Sequence, residues 1–246
     1  MSSPGAAFPN TRLSVLLGVR EEDPDARRAA FDVLISAYWR PVYARFRVKW
    51  RAQPADAEDL TQEFFTRAVA RGFFDDYEPS RGRFRTFLRT CLDRFAANAL
   101  RDERRLKRGG AVTLLPLEFA DTERELYRSG GLLADADPDA WFDREWIRGL
   151  LVDAVESLRR STAGTPREIR FLVFDRHDLQ PVVEAERPSY QTLAAEFGLP
   201  VTQVTNHLAW ARRELRRLLM ERLRVLAGSD AELRSEAATL FGGPIE

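Results

Sequence analysis

Asp56, Glu58, Asp59 and Glu63 fall within one run, PADAEDLTQEFFTRAVAR over residues 54–71, with Asp75 and Asp76 shortly after. Carboxylates this close could in principle hold a metal ion. The rest of a ligand set does not accompany them. The two histidines, His177 and His207, lie far along the chain, and no Glu-x-x-His pair of a di-iron bundle occurs. There is no phosphate-binding glycine loop and no nucleophile elbow. Cys91 is the single cysteine, which excludes an intrachain disulfide and a cysteine-based zinc site, and it reads as a core residue. His207 reads as a surface or nucleic-acid-facing side chain rather than a ligand. The chemistry left is recognition: carboxylates for a basic partner, guanidiniums for phosphates, side-chain amides for base edges. The sequence reads as non-catalytic, with no cofactor.

The elements that must position these groups are helical. On a wheel at about 100° per residue, Ala57, Leu60, Thr61, Phe64, Phe65, Ala68 and Val69 share one half of the 54–71 segment. Asp56, Asp59, Gln62, Glu63 and Thr66 take the rest, so the segment reads as an amphipathic helix. Pro54 suits its start, Asp56 can cap the first turn, and Gly72 ends it. Its acidic face is either a solvated surface or a dock for a basic partner.

Residues 81–108 carry ten basic and three acidic side chains, a local excess of seven in a chain of zero formal net charge. Nearly all the basic residues are Arg, with Lys49 and Lys107 the only lysines; arginine suits planar, bidentate phosphate contacts. A long helix is expected from Phe84 to about Arg108, stopped by Gly109-Gly110. Phe73, Phe74, Tyr77, Phe84, Phe87 and Phe95 interleave with the charges. Exposed, they would be stacking platforms for unpaired bases; Phe84, Phe87 and Phe95 share an apolar face and read as core.

Ser189–Leu219, SYQTLAAEFGLPVTQVTNHLAWARRELRRLL, reads as two helices around Gly198-Leu199-Pro200. Val201, Val204, Leu208, Ala211, Leu215 and Leu218 lie together on the second helix. Gln203, Asn206, Trp210, Arg213 and Arg217 lie opposite. A three-residue, glycine-containing turn with a polar outer face is a helix-turn-helix pattern, with an ordinary helical hairpin as the plain alternative. Gln and Asn can pair bidentately with adenine, and the trailing Arg212, Arg213, Arg216 and Arg217 suit phosphates.

The intervening chain reads as helical periodicity from about Thr11, a second helix begun by Asp23-Pro24-Asp25, and a further segment Val42–Trp50 begun by Pro41. Residues 111–140 read as a linker with a short helix near Asp121–Arg128. Helices are expected at Trp141–Arg160 and Arg167–Asp175, a connection at 176–188, and fraying after Gly228. No strand and no repeat is expected. The chain is 44% hydrophobic and 31% charged, enough to bury a core. No apolar run is long enough to span a membrane, and the N-terminus lacks the regions of a secretory signal, so the expected setting is the cytoplasm, with no membrane partner.

Three stretches together resemble a family. DAEDLTQEFF at 56–65, FFDDYEPSRGRFRTFLRTCLDRFAANALRDERRLKR at 73–108 and SYQTLAAEFGLPVTQVTNHLAWARREL at 189–215 resemble, in order, the motifs of bacterial sigma-70 superfamily sigma factors of the compact extracytoplasmic-function type. The resemblance spans roughly residues 12–222. It implies an all-α fold of two helical domains joined by a flexible linker. A flexible tail (1–10) would precede a sigma-2-like domain (11–108), a linker (109–140), a sigma-4-like domain with the helix-turn-helix (141–222) and a C-terminal extension (223–246).

It further implies that Asp56, Asp59, Gln62, Glu63 and Thr66 meet the clamp of core RNA polymerase. Arg85, Arg89, Asn98, Arg101, Arg104, Arg105 and Arg108 would lie on the −10 region, with the 73–83 loop helping to hold a flipped base. Thr202, Gln203, Asn206, Trp210, Arg213 and Arg217 would enter the −35 major groove. Partners would be core RNA polymerase through its clamp and flap, promoter DNA both double- and single-stranded, and, where one exists, an anti-sigma factor. The linker would run towards the RNA exit channel, its acidic residues mimicking nucleic acid. The chain differs from the family pattern at Thr205, His207 and Trp210, where basic residues are common, so fewer or more apolar −35 contacts are expected. A stand-alone helix-turn-helix regulator is the alternative; it accounts for 189–219 but not for the acidic helix.

Overall fold

The computed structural model describes residues 23–101, 117–133, 135–180 and 187–242, the side chains at 100 and 101 excepted. Among these the fold is all α, with no strand. The chain forms two units. The first takes residues up to Trp146 together with those from Leu223 onward; the second is Ile147–Arg222.

The first unit begins with α1 (Pro24–Val48). Asp23 caps it, its carboxylate accepting the Asp25 amide at 3.1 Å, and Pro24 sits in the first turn where no amide is needed. The helix runs through Pro41, where a break was expected. An interior proline costs about 3 kcal/mol, and packing offsets it here: every residue from Pro41 to Val48 is buried. α2 (Pro54–Arg71) follows, entered from Gln53, which makes no side-chain cap bond, rather than capped by Asp56. Gly72 ends it in the left-handed region at φ 62°, a conformation that favours glycine. A 3₁₀ turn (Pro79–Arg81) leads into α3 (Phe84–Arg101).

The expected linker contains α4 (Phe119–Arg128), which lays Phe119, Thr122 and Leu126 inward. Phe119 meets Trp39 and Tyr43 of α1 at ring distances of 5.2 and 5.1 Å. After α4 the chain is tied back again, Arg51 donating to the Leu132 and Leu133 carbonyls at 2.9 and 2.8 Å. Thus these parts of 109–140 are packed on α1 rather than running free, because α4 is amphipathic and carries a carboxylate that α1 needs.

The core of this unit is aromatic. Phe31, Tyr38, Phe46, Phe64, Phe74, Phe84, Phe95 and Trp146 are buried; most meet edge-on or tilted, for example Phe74–Phe84 at 5.4 Å and Phe64–Phe95 at 5.5 Å, while Tyr38 stacks on Trp146. Each such side chain contributes roughly 1.5–3 kcal/mol of burial free energy, which fixes α1, α2 and α3 against one another. The unit is completed by α5 (Pro138–Thr162) up to Trp146, by α8 (Val201–Leu226) from Leu223, and by α9 (Asp230–Phe241). A helix stands where fraying was expected. Ser229 caps it, accepting the Glu232 amide at 3.1 Å.

The second unit holds the rest of α5, α6 (Glu168–Phe174), a π-helical turn (Asp175–Leu179), α7 (Tyr190–Phe197) and α8 up to Arg222. Its core is Leu158, Phe171, Val173, Phe174, Leu193, Val204, Leu208 and Ala211. The π-helical turn occupies the start of the stretch read as an irregular connection.

Candidate partner and nucleic-acid interfaces

The five acidic-face residues share one side of α2. Asp56, Asp59, Glu63 and Thr66 repeat at spacings of three and four, and Gln62 stands beside them. Asp56 and Asp59 are exposed; Gln62, Glu63 and Thr66 are half-buried. Glu63 pairs with Arg67 one turn on, and the Thr66 hydroxyl donates to the Gln62 carbonyl at 2.8 Å. The opposite side puts Ala57, Thr61, Phe64, Phe65 and Ala68 in the core. Val69, expected inside, is 39% exposed, and Leu60 is half-buried. The inward stripe is therefore narrower than the wheel suggests, and the outward surface joins carboxylates to an apolar edge.

The basic helix α3 divides. Asn98 is exposed and Arg89 half-buried. Arg85 does not face solvent: it is 2% exposed, and this corrects the expectation of a surface side chain. Its Nε donates to Glu236 at 2.9 Å, a second nitrogen bonds the other Glu236 oxygen, and a third donates to Asp143 at 2.7 Å. Its guanidinium also lies 4.1 Å from the Trp146 ring centre. Burial works against the charge, but the Glu236 hydrogen bonds outweigh it and keep the guanidinium ionised. Arg89 leans towards Asp143 at 3.6 Å and Asp139 at 3.9 Å. Arg101 lies on α3 with its side chain outside the described set, and Arg104, Arg105 and Arg108 lie outside the described residues.

The aromatics near α3 serve the core. Phe74, Tyr77, Phe84 and Phe95 are buried, and Phe73 and Phe87 half-buried. The Tyr77 hydroxyl donates to Glu232 at 2.9 Å; burial first, and that carboxylate second, push its phenol above the ordinary range. Cys91 is half-buried, and desolvation pushes its thiol up to about 11, so it is not a ready nucleophile.

Glu232 and Glu236 escaped the sequence reading. Their signal was present: Ser229-x-x-Glu232 is a capping box that announces α9. Their pairing with α3 has no local signature, since Arg85 and Glu236 are 151 residues apart. Two other arginines are equally internal. Arg45 bonds Asp93 through two nitrogens at 3.0 and 2.9 Å and Asp139 at 2.6 Å. Arg47 bonds Glu123 at 2.8 and 2.5 Å, and Tyr43 donates to the same carboxylate at 2.7 Å. So Glu123 and Asp139 of the expected linker are engaged within this unit.

In the second unit two helices meet at a tight turn. Ser189 caps α7, accepting the Thr192 amide at 3.1 Å. Gly198 ends it at φ 64°, and the Leu199 amide closes the turn on the Ala194 carbonyl at 2.9 Å. α8 then starts at once, the Gln203 amide donating to the Pro200 carbonyl at 2.8 Å. Val204, Leu208 and Ala211 turn inward while Thr202, Gln203, Asn206 and Arg213 are exposed.

Trp210, expected in the groove, is half-buried against the core, with the Arg170 guanidinium 5.0 Å from its ring centre. Its indole is too large an apolar surface to leave in water beside an open core edge. Arg217 is exposed and bonds Glu214, Nε to oxygen at 3.0 Å, and also Glu221. Arg212 forks onto Asp178 at 2.8 and 2.9 Å, and Asp178 also meets His177 Nδ1 at 2.8 Å. Burial raises the Asp178 carboxyl, but the bonds from Arg212 and His177 outweigh it, so it stays below the usual range. Arg212 thus clamps the π-helical turn onto α8.

Among the described residues no three His, Cys, Asp or Glu side chains converge as a metal site, and no helix is long and apolar enough to cross a membrane.

Among the described residues the chain is thus all α, with an acidic-faced helix, a basic helix and, further on, two helices joined at a tight turn. Residues 34–106 match the family model described as Sigma-70 region 2. That match covers most of α1 and all of α2 and α3. Comparison with curated proteins gives no match, and comparison with solved structures gives none either.

Proposed function

We propose that this chain is a sigma factor of the extracytoplasmic-function type, which binds core RNA polymerase and directs promoter-specific initiation. The observation that carries the reading is the Sigma-70 region 2 match over 34–106, which takes in both the acidic face of α2 and the basic helix α3. Asp56, Asp59, Gln62, Glu63 and Thr66 dock on basic side chains of the polymerase clamp. Asn98 and Arg89, with Arg101, Arg104, Arg105 and Arg108 beyond, meet the −10 region. Thr202, Gln203, Asn206 and Arg213 read the −35 groove: their exposure along the first half of α8 supports that role, and Gln or Asn can each specify adenine. The protein is non-catalytic, acts in the cytoplasm and needs no cofactor. An anti-sigma factor is a further partner of this class.

The test is a native pull-down with purified core RNA polymerase. Wild type is expected to bind at moderate salt. Asp59→Arg, a charge reversal at an exposed position, should lower affinity at least about tenfold, roughly 1.4 kcal/mol, with the helical content unchanged. Undiminished binding by the variant would refute the docking assignment. A chain that binds duplex operator DNA unaided, and never the core enzyme, would be a stand-alone regulator.

A further inference from the structure

α9 returns to the first turn of α3 and meets it with acceptors. Glu232 takes three donors at once: the Phe84 amide at 2.6 Å, the Tyr77 hydroxyl at 2.9 Å and the Gly228 amide at 2.7 Å. The Phe84 amide opens α3 and has no partner within its own helix, so Glu232 caps α3 from a distant part of the chain and answers the positive end of its dipole. One turn along α9, Glu236 forks onto Arg85, and Ser235 accepts from Arg83. Carboxylates and a hydroxyl on α9 thereby hold the charges at the head of the basic helix.

The inward side of α9 is polar. Its buried residues are Glu232, Glu236 and Ala237, whereas Leu233, Leu240 and Phe241 are only half-buried. α9 is thus held by charge-assisted bonds at the centre of its inward side and by partial apolar burial beside them. A buried ion pair adds little net stability, because desolvation offsets attraction. Another anion can therefore exchange for these carboxylates, and phosphates match the same guanidiniums and the same helix N-terminus.

We propose that α9 is an internal occupant of the nucleic-acid surface at the head of α3, and that single-stranded DNA binds there by displacing it. The inference rests on the reading that α3 meets promoter DNA. In the docked state α9 holds Arg83 and two nitrogens of Arg85, while Asp143 holds the third. In the undocked state Arg83, those two Arg85 nitrogens, Tyr77 and the Phe84 amide are open to a phosphate backbone.

The experiment uses the full chain, with and without core RNA polymerase, and a fluorescent single-stranded DNA carrying a −10-like sequence. Hydrogen exchange of wild type is read first. DNA is expected to abolish amide protection across α9 while α2 stays protected. Retained protection of α9 in the DNA-bound protein overturns the proposal and makes α9 a permanent part of the unit.

Glu236→Gln is read second. Removing the charge that holds Arg85 should tighten DNA binding by at least about tenfold, as expected when the competent state is a minor population. Equal affinity in a folded variant overturns the proposal. If that variant loses its helical circular dichroism, the wild-type exchange result decides alone. Absence of DNA binding by both proteins, even with core polymerase, refutes the underlying reading of α3 and the proposal with it. Binding without α9 release refutes the proposal only.

Discussion

At the scale of single residues, the decisive groups are guanidiniums that look like surface charge and are not. Arg45, Arg47 and Arg85 are 3%, 7% and 2% exposed. Removing one partner of such a pair strands the other. Arg47→Met should cost about 3 kcal/mol, the low end for a buried pair, because Glu123 keeps the Tyr43 hydroxyl. Urea unfolding measures the loss, and the double variant Arg47→Met with Glu123→Leu should recover most of it; no recovery would mean the cost lies in packing rather than charge. The acidic face of α2 was readable from sequence because its logic is local, every residue lying within three turns of its neighbours. The internal role of Arg45 was not, since its partners Asp93 and Asp139 are 48 and 94 residues away. Periodicity reports which side of a helix is apolar. It does not report that a distant carboxylate will make a charge buriable.

At the scale of elements, turn chemistry was legible and enclosure was not. Gly72 and Gly198 both stop their helices in the left-handed region, at φ 62° and 64°, as their places in the sequence suggest. At Gly198 a methyl group would meet nothing within 4 Å. Gly198→Ala therefore tests backbone cost alone, and should destabilise by about 1 kcal/mol. Gly198→Asn should lose less, because asparagine visits that conformation more readily. Thermal unfolding decides, and an alanine variant as stable as wild type would show that the turn relaxes. By contrast α1 gave no usable wheel in its second half. With every residue from Pro41 to Val48 buried, neither an outward face nor a proline break marks the element. Trp210 shows the same limit on α8. It lies on the polar stripe by spacing, yet the core edge and Arg170 claim it.

At the scale of the molecule, carboxylates tie the first unit together, and this sets its response to acid. Burial raises Asp93, Glu123 and Asp139, but hydrogen bonds from Arg45, Lys49, Arg47 and Tyr43 outweigh it, so all three stay below the ordinary range. A carboxyl depressed in the folded state contributes stability that is complete above its unfolded value, about 4, and is lost as pH falls through the folded value. Unfolding midpoints should thus decline from about pH 5 downward. The deficit of Glu123→Gln against wild type should be full at neutral pH and shrink below about pH 4. A deficit that persists undiminished at about pH 2 would assign the effect to shape rather than ionisation.

The first unit draws on both early and late stretches of the chain, with residues 147–222 in between. Translation is vectorial, so this order has a consequence in time. A nascent chain that has emerged through residue 222 already carries Tyr77, Phe84 and Arg85, while Glu232 and Glu236 are still within the ribosome. Until those two glutamates appear, the head of α3 must remain hydrated or borrow other acceptors. The basic surface is thus open during synthesis and closes only when the last described helix leaves the exit tunnel. A transcript cut short before that point would yield a product in which this surface never closes.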